Sequence, residues 1–138
     1  MFAIKIFGFG MVRDEAYYNS VTEQIIGCAY KVSNGLGAGF LEKVYENALA
    51  YELEKSGLTV VIQKPVQVYY DGHLVGDYVV DLLVNDEIIL ELKAIKKIDE
   101  IHIAQCLNYL KATGKKVALL INFGNAKVQV KRVVVGIC

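Results

Sequence analysis

A single proline in 138 residues leaves no Pro-rich linker at which the chain could divide, and no internal repeat of about 20–50 residues is visible. Cysteine is scarce as well. Cys28, Cys106 and Cys138 are odd in number, far apart and form no C-x-x-C pair, which argues against a disulfide framework and against a zinc site. They read as small buried or free thiols in a reducing, cytoplasmic setting. No run approaches the roughly 20 apolar residues that a membrane-spanning helix needs. The apolar opening from Met1 to Val12 is broken by Lys5, Gly8 and Gly10. It has no basic region before it and no small-residue cleavage site after it, so it does not read as a signal peptide. The chain lacks an excess of either charge, its formal net charge being +0. It also lacks G-x-S-x-G, a Walker loop and H-E-x-x-H, which removes the usual motif support for a serine hydrolase, an NTPase or a zinc protease.

What is present is a composition of 54% hydrophobic and 22% charged residues, the profile of one compact domain that buries its own core. The zero net charge conceals a dipole. Residues 1–92 carry six basic and thirteen acidic side chains, whereas residues 93–138 carry nine and two. Lys93, Lys96, Lys97, Lys111, Lys115, Lys116, Lys127, Lys131 and Arg132 offer a basic face that could follow a phosphate backbone. The plainer reading is that these lysines occupy solvated loops and strand edges, where they oppose aggregation.

Ser20-Val-Thr-Glu23 has the form of a capping box, and Ile25, Ile26, Ala29, Tyr30 and Val32 follow at helical spacing up to Gly35. Three glycines in Asn34–Gly39 predict a loop. A second helix is expected from about Phe40 to Ser56, with Leu41, Val44, Tyr45, Ala48 and Leu49 as its apolar stripe and Gly57 as its C-terminal glycine. The period then changes to two. Leu58–Gln63 and Val66–Tyr70 read as one strand bent or interrupted at Pro65, and Asp71-Gly72 is a hairpin turn. Two β-branched runs, Asp77–Val84 and Ile88–Ala94, flank Asn85-Asp86-Glu87 as a second hairpin. A third helix is predicted over about Asp99–Ala112, with Ile101, Ala104, Leu107 and Leu110 facing inward. The apolar run Val117–Phe123 suits a strand buried on both faces, and Val128–Val135 a last, partly polar strand. This order predicts an α/β domain with a mixed central sheet flanked by helices.

Three charges inside apolar strands carry the functional signal. Asp81 interrupts Tyr78–Val84, and Glu91 and Lys93 interrupt Ile88–Ala94. An unpaired buried charge costs several kcal/mol, so each needs a partner. Glu91 and Lys93, two apart on a strand, share a face. If Asn85-Asp86-Glu87 is a three-residue loop, Val84 opposes Ile88 and Asp81 opposes Glu91 on that face; a two-residue loop sends Glu91 to the other side. The three-residue register is preferred because it alone gathers the charges, and because Asn and Asp tolerate the left-handed backbone such loops require. Two carboxylates beside an ammonium suit a divalent cation, Mg²⁺ or Mn²⁺, with Lys93 assisting the attacking water. The alternative is a buried Asp–Lys or Glu–Lys ion pair without chemistry.

An Asp followed ten residues later by E-x-K, closing a hairpin that a helix follows, resembles the PD-(D/E)XK nuclease superfamily. Gly39-Phe-Leu-Glu42-Lys-Val-Tyr45 is similar to the name motif of its GxxExxY branch, and Gln63-Lys-Pro65, Asp81-Leu-Leu-Val84, Glu91-Leu-Lys93 and Gln105–Tyr109 follow in that family's order. The likeness runs from about Ser20 to Arg132, with Val80 in place of the superfamily's variable proline. It implies a restriction-endonuclease-like αβββαβ core, with residues 20–138 as a single nuclease-like domain and residues 1–19 as a leader or an extra strand. It further implies Asp81 and Glu91 as metal ligands, Lys93 as the catalytic lysine, Glu42 as an acidic residue of the first core helix that contacts metal or water, and Gln105 as a residue that positions site and substrate. Without the resemblance, Glu42 reads as a half-exposed helix carboxylate and Gln105 as a surface amide. Tyr45 and Tyr109 read as core aromatics with hydrogen-bonded tips, and His102 as a partly buried histidine. The expected function is metal-dependent phosphodiester hydrolysis of nucleic acid, with DNA the favoured substrate, and without a membrane partner. The alternatives are a catalytically silent module on the same fold that binds nucleic acid or protein, and a homodimer built on the Tyr-rich surface.

Overall fold

The computed structural model describes the backbone of residues 5–7 and 10–136, with side chains from residue 13 onward. Within the opening segment, β1 (Lys5–Phe7) and β2 (Gly10–Val12) form a short antiparallel pair that, among the described residues, joins no other strand. The rest of the expectation for residues 1–12, and Cys138, lie outside the described residues.

The body of the protein follows as α1 (Glu15–Leu36), α2 (Glu42–Lys55), β3 (Val60–Tyr70), β4 (His73–Val84), β5 (Ile88–Lys93), α3 (Glu100–Thr113), β6 (Val117–Asn122) and β7 (Gln129–Val134). The five strands lie side by side in chain order, β3-β4-β5-β6-β7. β5 and β6 are parallel, joined by the α3 crossover, and the other pairs are antiparallel. The α/β architecture with a mixed sheet is as expected. Strand alternation sorts the core into two layers. Leu82, Val84, Ile88, Leu90, Leu92, Leu119 and Ile121 pack beneath α1 and α2 with Ile25, Leu49 and Leu53. Leu83, Ile89, Ala118 and Leu120 pack beneath α3 with Cys106, Tyr109 and Leu110. Each fully buried aliphatic side chain of this kind contributes about 1.5–3 kcal/mol. Both free cysteines among the described residues, Cys28 and Cys106, are buried.

Several local expectations are corrected. Helix α1 starts at Glu15, because the Asp14 side chain accepts from the Tyr17 amide at 3.0 Å and caps it; such a cap contributes about 1 kcal/mol, and Ser20 lies inside the helix. At its other end α1 runs through Asn34 and Gly35 to Leu36, where Gly37, at φ +73°, donates to the Ser33 carbonyl. Helix α2 is rotated from the predicted stripe: Leu41 is 80% exposed, while Glu46 is buried with Tyr45, Leu49 and Leu53. On α3 the inward face is Cys106, Tyr109 and Leu110, with Ile101, Ala104 and Leu107 turned outward. Asp99 and His102 form a capping box there, the histidine Nδ1 accepting from the Asp99 amide at 3.0 Å. Strand β3 passes through Pro65 without a break, since Pro65 pairs with Val79 on an edge strand. The strand is irregular instead at Gln63, which has φ +55°, and between Val68 and Tyr69, where the pairing register shifts.

Candidate active site

The hairpin takes the three-residue register preferred from the sequence. Val84 pairs with Ile88, Leu83 with Ile89 and Leu82 with Leu90. The turn between them holds Asn85 and Asp86 at φ +52° and +58°. Asn85 Oδ1 also accepts from the Thr59 amide at 3.0 Å, which ties the turn to the strand entering the sheet. Counting outward from Leu82 and Leu90 brings Asp81 opposite Glu91, and there the regular ladder gives way to side chains. Glu91 Oε1 accepts from the Asp81 amide at 3.2 Å, and Asp81 Oδ2 accepts from the Leu92 amide at 2.8 Å.

Burial makes this pair electrostatically expensive. Glu91 is 4% exposed, and its pKa is pushed up to about 8 by that burial and by the neighbouring Asp81 charge. Asp81 is raised in the same direction by burial, opposed by its bond from the Leu92 amide and reinforced by the charges of Glu46 and Glu42. The Lys93 charge pulls both carboxyls back down. Lys93 is half-buried at the last position of β5 and shares strand parity with Glu91.

Helix α2 supplies the remaining acids. Glu42, in its first turn, lies exposed and accepts from the Ala94 amide at a long 3.4 Å, at the end of β5. Glu46, one turn on, has no counterpart among the residues expected from the sequence. It is 4% exposed, with Oε2 on Lys43 Nζ at 2.5 Å and Oε1 on Gln63 Nε2 at 2.7 Å. Its spacing of four from Glu42 was the available signal, since such residues lie on one helix face. Tyr45, by contrast, is structural. Its hydroxyl donates to the Gly37 carbonyl at 2.6 Å and accepts from the Phe40 amide at 3.2 Å, and its ring stacks on Phe123 at 4.7 Å. It fastens the glycine loop that leads into Glu42.

On the opposite layer, Gln105 Nε2 donates to the Tyr109 hydroxyl at 3.0 Å. Burial, then the Glu91 charge, raises the Tyr109 hydroxyl and pushes the Cys106 thiol up to about 12. Gln105 is thus tied to Tyr109, whose hydroxyl feels the Glu91 charge. His102 stays in its capping box. The loop leaving Lys93 is fixed by Asn122, which is fully buried: its Oδ1 accepts from the Ile95 and Gly124 amides, each at 3.0 Å, and its Nδ2 donates to the Ile95 carbonyl at 2.9 Å. A Cβ on Gly124 would overlap the Ile95 backbone, so only glycine allows this approach.

Among the described residues no three His, Cys, Asp or Glu side chains are gathered as a ready metal cluster. The side chains that could hold a cation are Asp81 and Glu91, with Glu42 exposed at the end of β5. Two hard oxygen ligands fit a cation that keeps several waters and completes its shell with substrate phosphate, as Mg²⁺ does. The raised carboxyls fit as well, because a divalent ion neutralises the repulsion that otherwise favours a proton there.

A family model of the PD-(D/E)XK nuclease superfamily matches residues 19–133. No curated protein and no solved structure matches the chain. No helix among the described residues is long and apolar enough to cross a membrane.

Proposed function

The chain belongs to the PD-(D/E)XK nuclease superfamily, and from that premise we propose that it hydrolyses phosphodiester bonds of DNA with the help of Mg²⁺ or Mn²⁺. Its three helices and five-stranded mixed sheet are those of a restriction-endonuclease-like fold. The observation that carries the reading is the Asp81–Glu91 pair, half-buried at Asp81 and buried at Glu91, set where the β4–β5 ladder ends, with Lys93 two residues further along β5. The ordered motifs from Gly39 to Tyr109 support placing the chain in the GxxExxY branch.

Asp81 and Glu91 would hold the cation, and Glu42 would meet it or one of its waters at the rim. Bound there, the ion supplies acidification of a water and neutralisation of charge on the scissile phosphate. Asp81 and Glu91 carry rigid backbone bonds, so little reorganisation is needed to present their free oxygens. Lys93 orients the attacking water and offsets the negative charge that grows on the phosphate. Gln105 steadies Tyr109 beside this centre. Lys96 and Lys97, exposed on the loop that leaves β5, are the cations we assign to the DNA backbone.

The test is cleavage of end-labelled single-stranded and duplex DNA with Mn²⁺ present, by the parent and by Asp81→Ala. Cleavage by the parent that the variant loses while remaining folded supports the assignment. Intact DNA after long incubation, with measurable binding, supports instead the silent binding module. Equal cleavage by both proteins removes Asp81 from the chemistry.

A further inference from the structure

Four residues other than glycine have positive φ among the described residues: Gln63, Asp71, Asn85 and Asp86. Asp71, Asn85 and Asp86 sit in hairpin turns and are of the types that tolerate the left-handed region. Gln63 lies mid-strand, where nothing in its side chain favours such a backbone.

Its position in the ladder is telling. Ile62 pairs with Leu82 and Lys64 with Val80, so Gln63 stands opposite Asp81, and the register is the same on both sides of it. What changes is the face. Leu82 and Val84 pack in the layer beneath α1 and α2, but Val80, which regular alternation would place with them, packs in the α3 layer. On β3, Val60 packs against the first layer and Val66, of the same parity, in the second. Both strands therefore cross over at the Gln63–Asp81 step. Asp81 stands half-buried at this step, and its carboxylate reaches the Leu92 amide at 2.8 Å. The Gln63 amide meanwhile holds the buried Glu46 at 2.7 Å.

We propose that Gln63 is a positioning residue of the site: its left-handed backbone turns the β3–β4 hairpin across the sheet and thereby places Asp81. Residues held in sparsely populated backbone regions persist where the surrounding structure over-determines them, and they concentrate at functional sites. The bearing of this placement on catalysis rests on the nuclease reading; the placement itself does not.

The experiment measures hydrogen exchange of the Leu92 amide by NMR in the metal-free parent, Gln63→Gly and Gln63→Val. Glycine adopts the left-handed backbone freely, whereas the β-branched valine resists it and favours a regular strand. Leu92 is expected to stay protected with glycine and to lose protection with valine. Cleavage by the valine variant is expected to fall roughly 100-fold, the scale of a misplacement of about 1 Å, and cleavage by the glycine variant to fall less. Parent-like protection of Leu92 in Gln63→Val overturns the proposal. If the valine variant does not fold, Gln63→Ala replaces it, with protection below that of glycine expected and equal protection overturning the proposal. A parent that cleaves nothing contradicts the nuclease reading, and Leu92 exchange still decides the role of Gln63.

Discussion

The Glu91 carboxylate accepts the Asp81 amide proton at 3.2 Å while the Asp81 carboxylate accepts from Leu92, the residue after Glu91, at 2.8 Å. Two side chains thus replace the backbone ladder at the point where β4 and β5 part. The exchange locks the separation of two carboxylates that would otherwise repel each other, and it leaves oxygen lone pairs free for a cation. It also ties the stability of the hairpin to the charge state of the site.

That link has a definite sign. Glu91 keeps its proton up to about pH 8 in the folded protein, against an ordinary value of 4.5. Between those values the folded state binds more protons than the unfolded state, so stability falls as pH rises, by up to about 1.4 kcal/mol per pH unit for one group. Asp81, raised likewise, adds in the same direction. Thermal melts without divalent metal are expected to show a higher midpoint near pH 5 than near pH 8. Glu91→Gln is expected to flatten the profile, and a parent with no fall over that range would contradict the buried-pair electrostatics.

Lys93 separates chemistry from metal binding. Lys93→Met is expected to lower cleavage by roughly 10²–10³-fold, the cost of losing one group that stabilises developing charge. Mn²⁺ affinity, measured by calorimetry, is expected to persist or rise, because a positive neighbour is removed. Loss of metal binding in parallel with activity would instead make Lys93 a structural partner of the carboxylates.

Tyr45 lies in the motif yet serves the fold. Tyr45→Phe deletes the bonds to Gly37 and Phe40 and keeps the stacking on Phe123. It is expected to cost about 1 kcal/mol in urea unfolding, the net worth of an ordinary hydrogen bond, since the Gly37 and Phe40 backbone groups lie at the surface and can turn to water. Unchanged stability would show that the glycine loop is held by other contacts.

Asn122 supports Lys93 from behind. Asn122→Ala leaves the Ile95 amide and carbonyl without their side-chain partners, and a loss of about 1–3 kcal/mol for each unsatisfied buried group is expected in urea unfolding. Hydrogen exchange at Ile95 is expected to accelerate, and cleavage to fall as the end of β5 loosens. An Ile95 amide that exchanges at the parent rate would sever Asn122 from the site.

Much of this arrangement was legible in the sequence. Period-two and helical patterns located the three helices and five strands of the main body, and charges inside β-branched runs singled out Asp81, Glu91 and Lys93 as candidates, of which the fold bonds Asp81 to Glu91. The turn Asn85-Asp86-Glu87 allowed two registers, and Val84 pairing with Ile88 decided between them. What escaped depends on tertiary context. Helix α2 has apolar side chains on more than one face, so Leu41 and Val44 concealed that Glu46 points inward. The α3 stripe was misread for the same reason: Ile101 stays exposed while Cys106 and Tyr109 cover the sheet. The cap at Asp14 was hidden by the better-formed sequence pattern at Ser20. Pro65 drew the bend to itself because proline is a known strand breaker, yet an edge strand accepts it. Gln63 takes the distortion instead, and glutamine carries no local preference that signals it.

The most direct measurement is a calorimetric titration of Mn²⁺ into the parent, Asp81→Ala and Glu91→Ala, at neutral pH and with a short DNA duplex also present. Saturable binding is expected in the parent, and each substitution is expected to abolish it while circular dichroism shows the fold retained. No binding by the folded parent, with or without DNA, or binding that survives both substitutions, would contradict a metal centre on Asp81 and Glu91.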